Sequence, residues 1–323
     1  MKSTSSGLFC ALLAAAAFGT SGTLAKPLLE AGWSPVAAVT ARALTGGLLL
    51  LPLAVLALRG RWAVLWQARG RVLMMGMAGV ACTQLAYYAA IQTIPVSTAL
   101  LIEFLAPLLL VGHAWARTRR IPAPTVLFGS VLAIAGLLLV IGPGALQPVD
   151  PVGLLFAFCA AVGCAVYFLI AARTGDGLPP VALAASGLLV GGVTLAAIGA
   201  TGLLTVTTSF GELDMFGINA PWWVPLLLLA VVATSLAYAV GVTASEALGS
   251  RLASFVGLLE VAFAALFAWL LLDEKLGALQ ILGGVFILAG IAAVRAEKSE
   301  VPPPQPLVTD ISGEPASAVR TQY

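Results

Sequence analysis

Arg42, Glu103 and Glu260 are formally charged side chains set deep inside long apolar runs of this sequence. A charge at the centre of a bilayer costs about 2.5–3.5 kcal/mol on insertion scales, so each must find a partner, a water-filled cavity or a proton. Arg42 and Glu103 both lie seven positions past the start of a run, 35 to 42 and 96 to 103. At about 1.5 Å per residue that is a depth of roughly 10 Å. Equal depth lets the two pair if their helices are neighbours. Such a pair would either lock two helices together or grip the two ends of a zwitterion. Glu260 lies eight positions past the start of its run at 252, and the position that aligns with Arg42 in the second half of the chain is Gly187. With no cation expected at its depth, Glu260 is a candidate for carrying a proton, and Glu103 is the second. A neutral carboxyl bonded to a neighbouring helix is the alternative for Glu260.

Uncharged polar groups extend this set. Gln84 and Tyr88 are four residues apart and share one helical face, with Tyr87 beside them and Tyr238 in a matching segment later on. Hydroxyl and amide groups turned inward would line a path for polar solutes, whereas tyrosines near a helix end also serve as interfacial anchors. Tyr167 fits either description. Pro107 follows Glu103 by four positions and frees its carbonyl, where a kink and a polar cavity can form. His113 stands near the end of a run and reads as a packed or interfacial residue. Gly46, Gly47, Gly129, Gly136, Gly283, Gly284 and Gly290 suit close helix packing. The four cysteines lie in apolar runs and read as buried thiols, neither a disulfide framework nor a metal site.

The elements that must position these residues follow from composition. Of 323 residues, 60% are hydrophobic and only 9% charged, against about 25% in soluble domains. So few charges cannot clothe a surface in water, which excludes a soluble enzyme. A net charge of +2 without a basic stripe excludes nucleic acid as a partner. Ten apolar segments can be marked off, at 8–25, 35–58, 72–91, 96–116, 125–141, 152–172, 180–200, 223–244, 252–272 and 278–294. Helices are expected, because they satisfy every backbone group within one lipid-embedded segment. Placing the N-terminus in the cytoplasm leaves only Lys26 and Lys275 of the 16 Lys and Arg outside, with Arg42 within a span. That bias puts both termini inside. The stretch 299–323, with its proline-rich start, is expected to be a disordered cytoplasmic tail.

The two halves resemble each other. Thr83-Gln84-Leu85-Ala86-Tyr87 in the third segment matches Thr234-Ser235-Leu236-Ala237-Tyr238 in the eighth. Gly46-Gly47 matches Gly191-Gly192, Gly129 and Gly136 match Gly283 and Gly290, and Glu103 matches Glu260, all in the same order. Five helices per copy is an odd number, so the second copy must enter the membrane from the opposite side. The expected fold is all-α, with ten transmembrane helices as two inverted five-helix repeats, 1–146 and 147–298. Inverted repeats characterise secondary transporters, whose substrate site lies near the midplane between the halves.

These residues resemble the EamA family of the drug/metabolite transporter superfamily. The likeness is carried by Ala99-Leu100-Leu101-Ile102-Glu103-Phe104-Leu105-Ala106-Pro107 in the first half. In the second it is carried by Ser254-Phe255-Val256-Gly257-Leu258-Leu259-Glu260-Val261 and by Ala268-Trp269-Leu270-Leu271-Leu272-Asp273-Glu274. Many members carry proline directly after the second glutamate, where this chain has Val261. Glu103-Phe104 followed by Pro107 is also similar to the threonine/homoserine exporter branch. The resemblance implies export of amino acids or related small metabolites from a bacterial inner membrane, without a cofactor. The competing class is an integral membrane enzyme acting on a lipid or prenyl substrate. Such an enzyme needs histidine ligands, an acidic metal cluster or a phosphate loop. The sequence offers one histidine and no such motif.

Overall fold

A computed structural model describes residues 4–142, 150–272, 275 and 277–296. Among the described residues, ten helices are long and apolar enough to cross a membrane: α1 (Ser5–Glu30), α2 (Pro35–Leu58), α3 (Arg69–Ala90), α4 (Val96–Thr118), α5 (Pro124–Ile141), α6 (Pro151–Ala171), α7 (Pro180–Ala200), α8 (Trp223–Leu248), α9 (Ser250–Leu272) and α10 (Ala278–Arg295). They coincide with the ten segments marked in the sequence, apart from a few residues at the ends. The expected tail, Asp273-Glu274 and the boundary at 146/147 lie outside the described residues.

Local chemistry sets the helix ends. Ser34 and Asp150 cap α2 and α6, accepting from the backbone N–H of Ala37 and Gly153 at 3.3 and 3.1 Å, each just before a proline that starts the helix. Arg59 and Arg119 end α2 and α4 in the left-handed region.

Glycine contacts reveal the two-fold relation between the halves. A Cβ on Gly136 would meet the carbonyl of Gly283 at 2.5 Å, and one on Gly129 would meet that of Gly290 at 2.7 Å. Each contact is returned, since Gly283 meets Gly136 and Gly290 meets Gly129. Gly129 corresponds to Gly283 and Gly136 to Gly290, so α5 and α10 cross about a pseudo-symmetry axis. The same holds for α2 and α7, where Gly47 faces Leu189 and Gly192 faces Leu44, in each case at 2.8 Å. Because the atoms met on α5 and α10 include backbone, a side chain at these positions would force the helices apart. Gly284 differs, meeting only the Cβ of Ala262 at 3.8 Å, so it is no close-packing position.

Inside the spans the helices are not regular. α3 contains a wide-turn π segment, Met75–Cys82, and α8 contains another, Val231–Leu236. Thr83, directly after the first, and Thr234, within the second, bond alike, each hydroxyl donating to a carbonyl five residues back (Ala78 at 2.9 Å, Leu229 at 3.0 Å). α1 breaks at Thr20, α4 after Glu103 and α9 at Leu258.

The connection between α7 and α8 holds a hairpin. Strands β1 (Glu212–Met215) and β2 (Ile218–Pro221) pair antiparallel. Phe216 and Gly217 make the turn at positive φ of 59° and 82°, and Asp214 Oδ1 accepts from the Gly217 N–H at 2.8 Å. The segment is strapped to the α1–α2 turn. Trp33 Nε1 donates to the Ser209 carbonyl at 2.7 Å, and the Trp33 ring stacks on Trp222.

At the other end of α3, Arg71 is buried and donates to the Ile170 carbonyl and to both oxygens of Asp176, at 2.8 and 3.0 Å. Burial of Asp176 opposes its ionisation, but the Arg71 hydrogen bond and the Leu178 N–H outweigh it and hold the carboxyl below its ordinary range. The tie between α3 and the end of α6 therefore persists above the ordinary carboxylate range and is lost as pH falls through the lowered value.

Candidate functional site

Breaks in a helix free backbone groups that must be satisfied elsewhere, so in a membrane they occur where they line a cavity. The breaks in α4 and α9 do this. In α4 the chain tightens at Phe104 and Leu105, with Leu105 N–H donating to the Ile102 carbonyl at 3.0 Å. The helix restarts at Ala106 with Pro107 in its first turn, where a missing N–H costs nothing. Glu103 thus ends one half-helix (Val96–Glu103), and Pro107 opens the next. In α9, Gly257 ends the first half-helix and Glu260 stands in the first turn of the second (Leu259–Leu272). The break forms without the proline that the resemblance would place after Glu260.

Both breaks face one cavity of about 140 Å³. Arg42, Glu103 and Glu260 all line it, and so do Gln84, Pro107 and Tyr238. The chain therefore gathers the three charges that the sequence places inside apolar runs. Depth counting set Glu260 apart from any cation. The breaks shift the register of the helices, and Arg42 stands on the same cavity wall.

The expected Arg42–Glu103 ion pair is not formed among the described residues. Arg42 Nη1 donates instead to Ser21 Oγ at 2.9 Å. The physical reason lies in the packing: α2 packs chiefly on α7 and α4 chiefly on α6, so Arg42 and Glu103 come from helices whose main partners are others. Glu103 and Glu260 accept no side-chain hydrogen bond from the described residues. The cavity thus presents one guanidinium and two carboxyl groups that form no ion pair with one another among the described residues.

Tyr87 and Tyr88 lie outside the lining. Tyr87 packs with Ala90, Ile94 and Ala99, and Tyr88 with Val39, Ala81 and Leu195. They continue the face of Thr83 and Gln84 but lie one turn further along α3. Residues the sequence reading left open or passed over complete the wall. Tyr167 is 7% exposed and sets its ring edge-on to Tyr238 at 5.6 Å, and Ser21, Cys164 and Ser254 also face the space. A signal existed for Tyr167, whose hydroxyl is the lone one within an apolar run. His113 is exposed, away from the cavity.

Comparison with known proteins agrees with this architecture. The threonine/homoserine exporter RhtA of Salmonella typhimurium (strain LT2) is 31% identical over 283 residues, covering 86% of this chain and 87% of that protein. The protein of the same name from Escherichia coli (strain K12) is 29% identical over 297 residues, covering 90% and 91%. A solved crystal structure with 20% identity superposes with a TM-score of 0.72 over 90% of this chain and 98% of its own, showing the same fold. The EamA-like transporter family matches twice, over residues 5–142 and 151–296, one match for each five-helix half. Ten spanning helices in two inverted copies, meeting at a cavity lined by broken helices, are thus the form taken by a chain that belongs to the EamA-like transporter family.

Proposed function

We propose that this transporter exports amino acids, binding the zwitterion in the central cavity. The observation that carries the reading is the convergence of Arg42, Glu103 and Glu260 on one space without an ion pair between Arg42 and Glu103. Arg42 takes the α-carboxylate, since its planar fork matches two carboxylate oxygens. Glu103 takes the α-ammonium, at the carbonyl end of a half-helix where the backbone dipole also favours a cation. Gln84 and Tyr238 complete the polar wall, and Pro107 keeps the α4 break open. The relatives' names, threonine/homoserine exporter, support small polar amino acids as the substrate class.

The two repeats, 1–146 and 147–298, rock about the α5–α10 and α2–α7 crossings to expose the cavity to each side in turn. Protons drive the cycle through Glu260, with Glu103 as the second exchanging group. The chain sits in a bacterial inner membrane with both termini in the cytoplasm, performs no covalent chemistry and needs no cofactor. A cysteine placed in 201–222 should label with an impermeant thiol reagent from outside, and one placed in 59–71 should not. Labelling of both loops from the same side would overturn the orientation.

The function is tested by counterflow in proteoliposomes with a panel of amino acids, purines and cationic drugs. Uptake of labelled threonine or homoserine into vesicles loaded with the same unlabelled compound is expected. Counterflow of purines or cationic drugs alone would replace the amino-acid reading.

A further inference from the structure

The hydroxyl of Tyr167 is buried and has no hydrogen-bond partner among the described residues, although its ring lines the cavity. A desolvated hydroxyl left unpaired is unfavourable, whereas phenylalanine would give the same ring packing without that cost. Phe18 does so on the same partner, meeting Tyr238 edge-on at 5.2 Å while Tyr167 meets it at 5.6 Å. Packing alone therefore explains the ring but not the oxygen. The space for the oxygen is also specific. A Cβ on Gly241 would stand 2.7 Å from it, so a larger residue at 241 would displace the phenol.

The geometry points to Tyr167 as a residue that selects the substrate's side chain. This rests on the amino-acid reading above. With the α-carboxylate on Arg42 and the α-ammonium on Glu103, the Tyr167 hydroxyl, unpaired among the described residues and set against the cavity wall at Gly241, is left to meet a side-chain hydroxyl. The transporter then favours hydroxyl-bearing amino acids over apolar ones of equal size. Threonine and valine are the appropriate pair, since they differ by a hydroxyl in place of a methyl.

The test measures counterflow of labelled threonine and of labelled valine by the full chain and by Tyr167→Phe. The wild type is expected to favour threonine, and Tyr167→Phe should erode that preference about fivefold, the size of one neutral hydrogen bond, read as the threonine-to-valine ratio. Gly241→Ala, which displaces the hydroxyl and keeps the tyrosine, should erode the preference in the same direction and serves if Tyr167→Phe does not fold. An unchanged threonine-to-valine ratio in a variant that still transports overturns the role of Tyr167 and leaves the amino-acid reading standing. Failure of the wild type to carry any amino acid overturns both.

Discussion

Replacing Arg42 with methionine should abolish amino-acid counterflow while leaving a folded protein. The guanidinium makes its side-chain hydrogen bond to Ser21 Oγ and forms no ion pair with Glu103 among the described residues, so its removal breaks one hydrogen bond to a neutral partner and no ion pair. Methionine replaces the aliphatic stem with similar volume. The substrate carboxylate, by contrast, would enter a desolvated cavity opposite two carboxylates without its cation. Removing one partner of a buried charge pair costs about 2–5 kcal/mol, which is roughly 30-fold to several thousand-fold in binding. Arg42→Lys keeps the charge but loses the two-pronged geometry, so it should restore only part of the activity. Unimpaired counterflow by a stably folded Arg42→Met protein would remove Arg42 from the site.

A different split is expected for the two carboxylates. Glu260→Gln should end accumulation driven by a pH gradient and spare exchange of labelled for unlabelled amino acid. Glutamine keeps the shape and hydrogen bonding of the carboxyl but cannot release a proton, so coupling separates from binding. Glu103→Gln should weaken exchange as well, because it removes the charge that faces the substrate ammonium. The groups that share this wall with Glu260 are Glu103, Arg42, Tyr238, Tyr167 and Cys164. Measuring both modes in the same vesicles decides the matter. Uphill accumulation by Glu260→Gln under an imposed pH difference would assign the coupling proton to another group.

How much of this was legible in the sequence depends on which interactions are local. The spans were, because an apolar run must exclude charge along its whole length whatever packs on it. The glycine pairs were nearly so: Gly129 and Gly136 matched Gly283 and Gly290 in order, and the structure sets these residues against one another. The π segments were hidden in plain view at Thr83 and Thr234, whose matching places could not by themselves indicate a five-residue reach of the hydroxyl. What failed was inference across helices. Depth along straight rods allowed an Arg42–Glu103 pair, but which helices are neighbours is decided by packing across the bundle, and no such pair forms among the described residues. Tyr87 and Tyr88 were legible as an inward-facing stripe, yet where a cavity ends along a stripe is set by side chains from other helices. The hairpin at 212–221 depends on a Phe-Gly turn among exposed residues, a weak local signal beside the strong apolar ones.

The most direct test of the central cavity as the substrate site uses a thiol already in its wall. Cys164 lines the space, while Cys82 is exposed on the outer surface of the bundle and Cys10 and Cys159 are outside the lining. In a protein carrying alanine at 10, 82 and 159, the rate at which N-ethylmaleimide alkylates Cys164 should fall severalfold when saturating threonine is present. The same threonine should give no protection in the Arg42→Met background. Alkylation at an unchanged rate, with a substrate that the same protein demonstrably transports, would mean that amino acids bind and cross elsewhere.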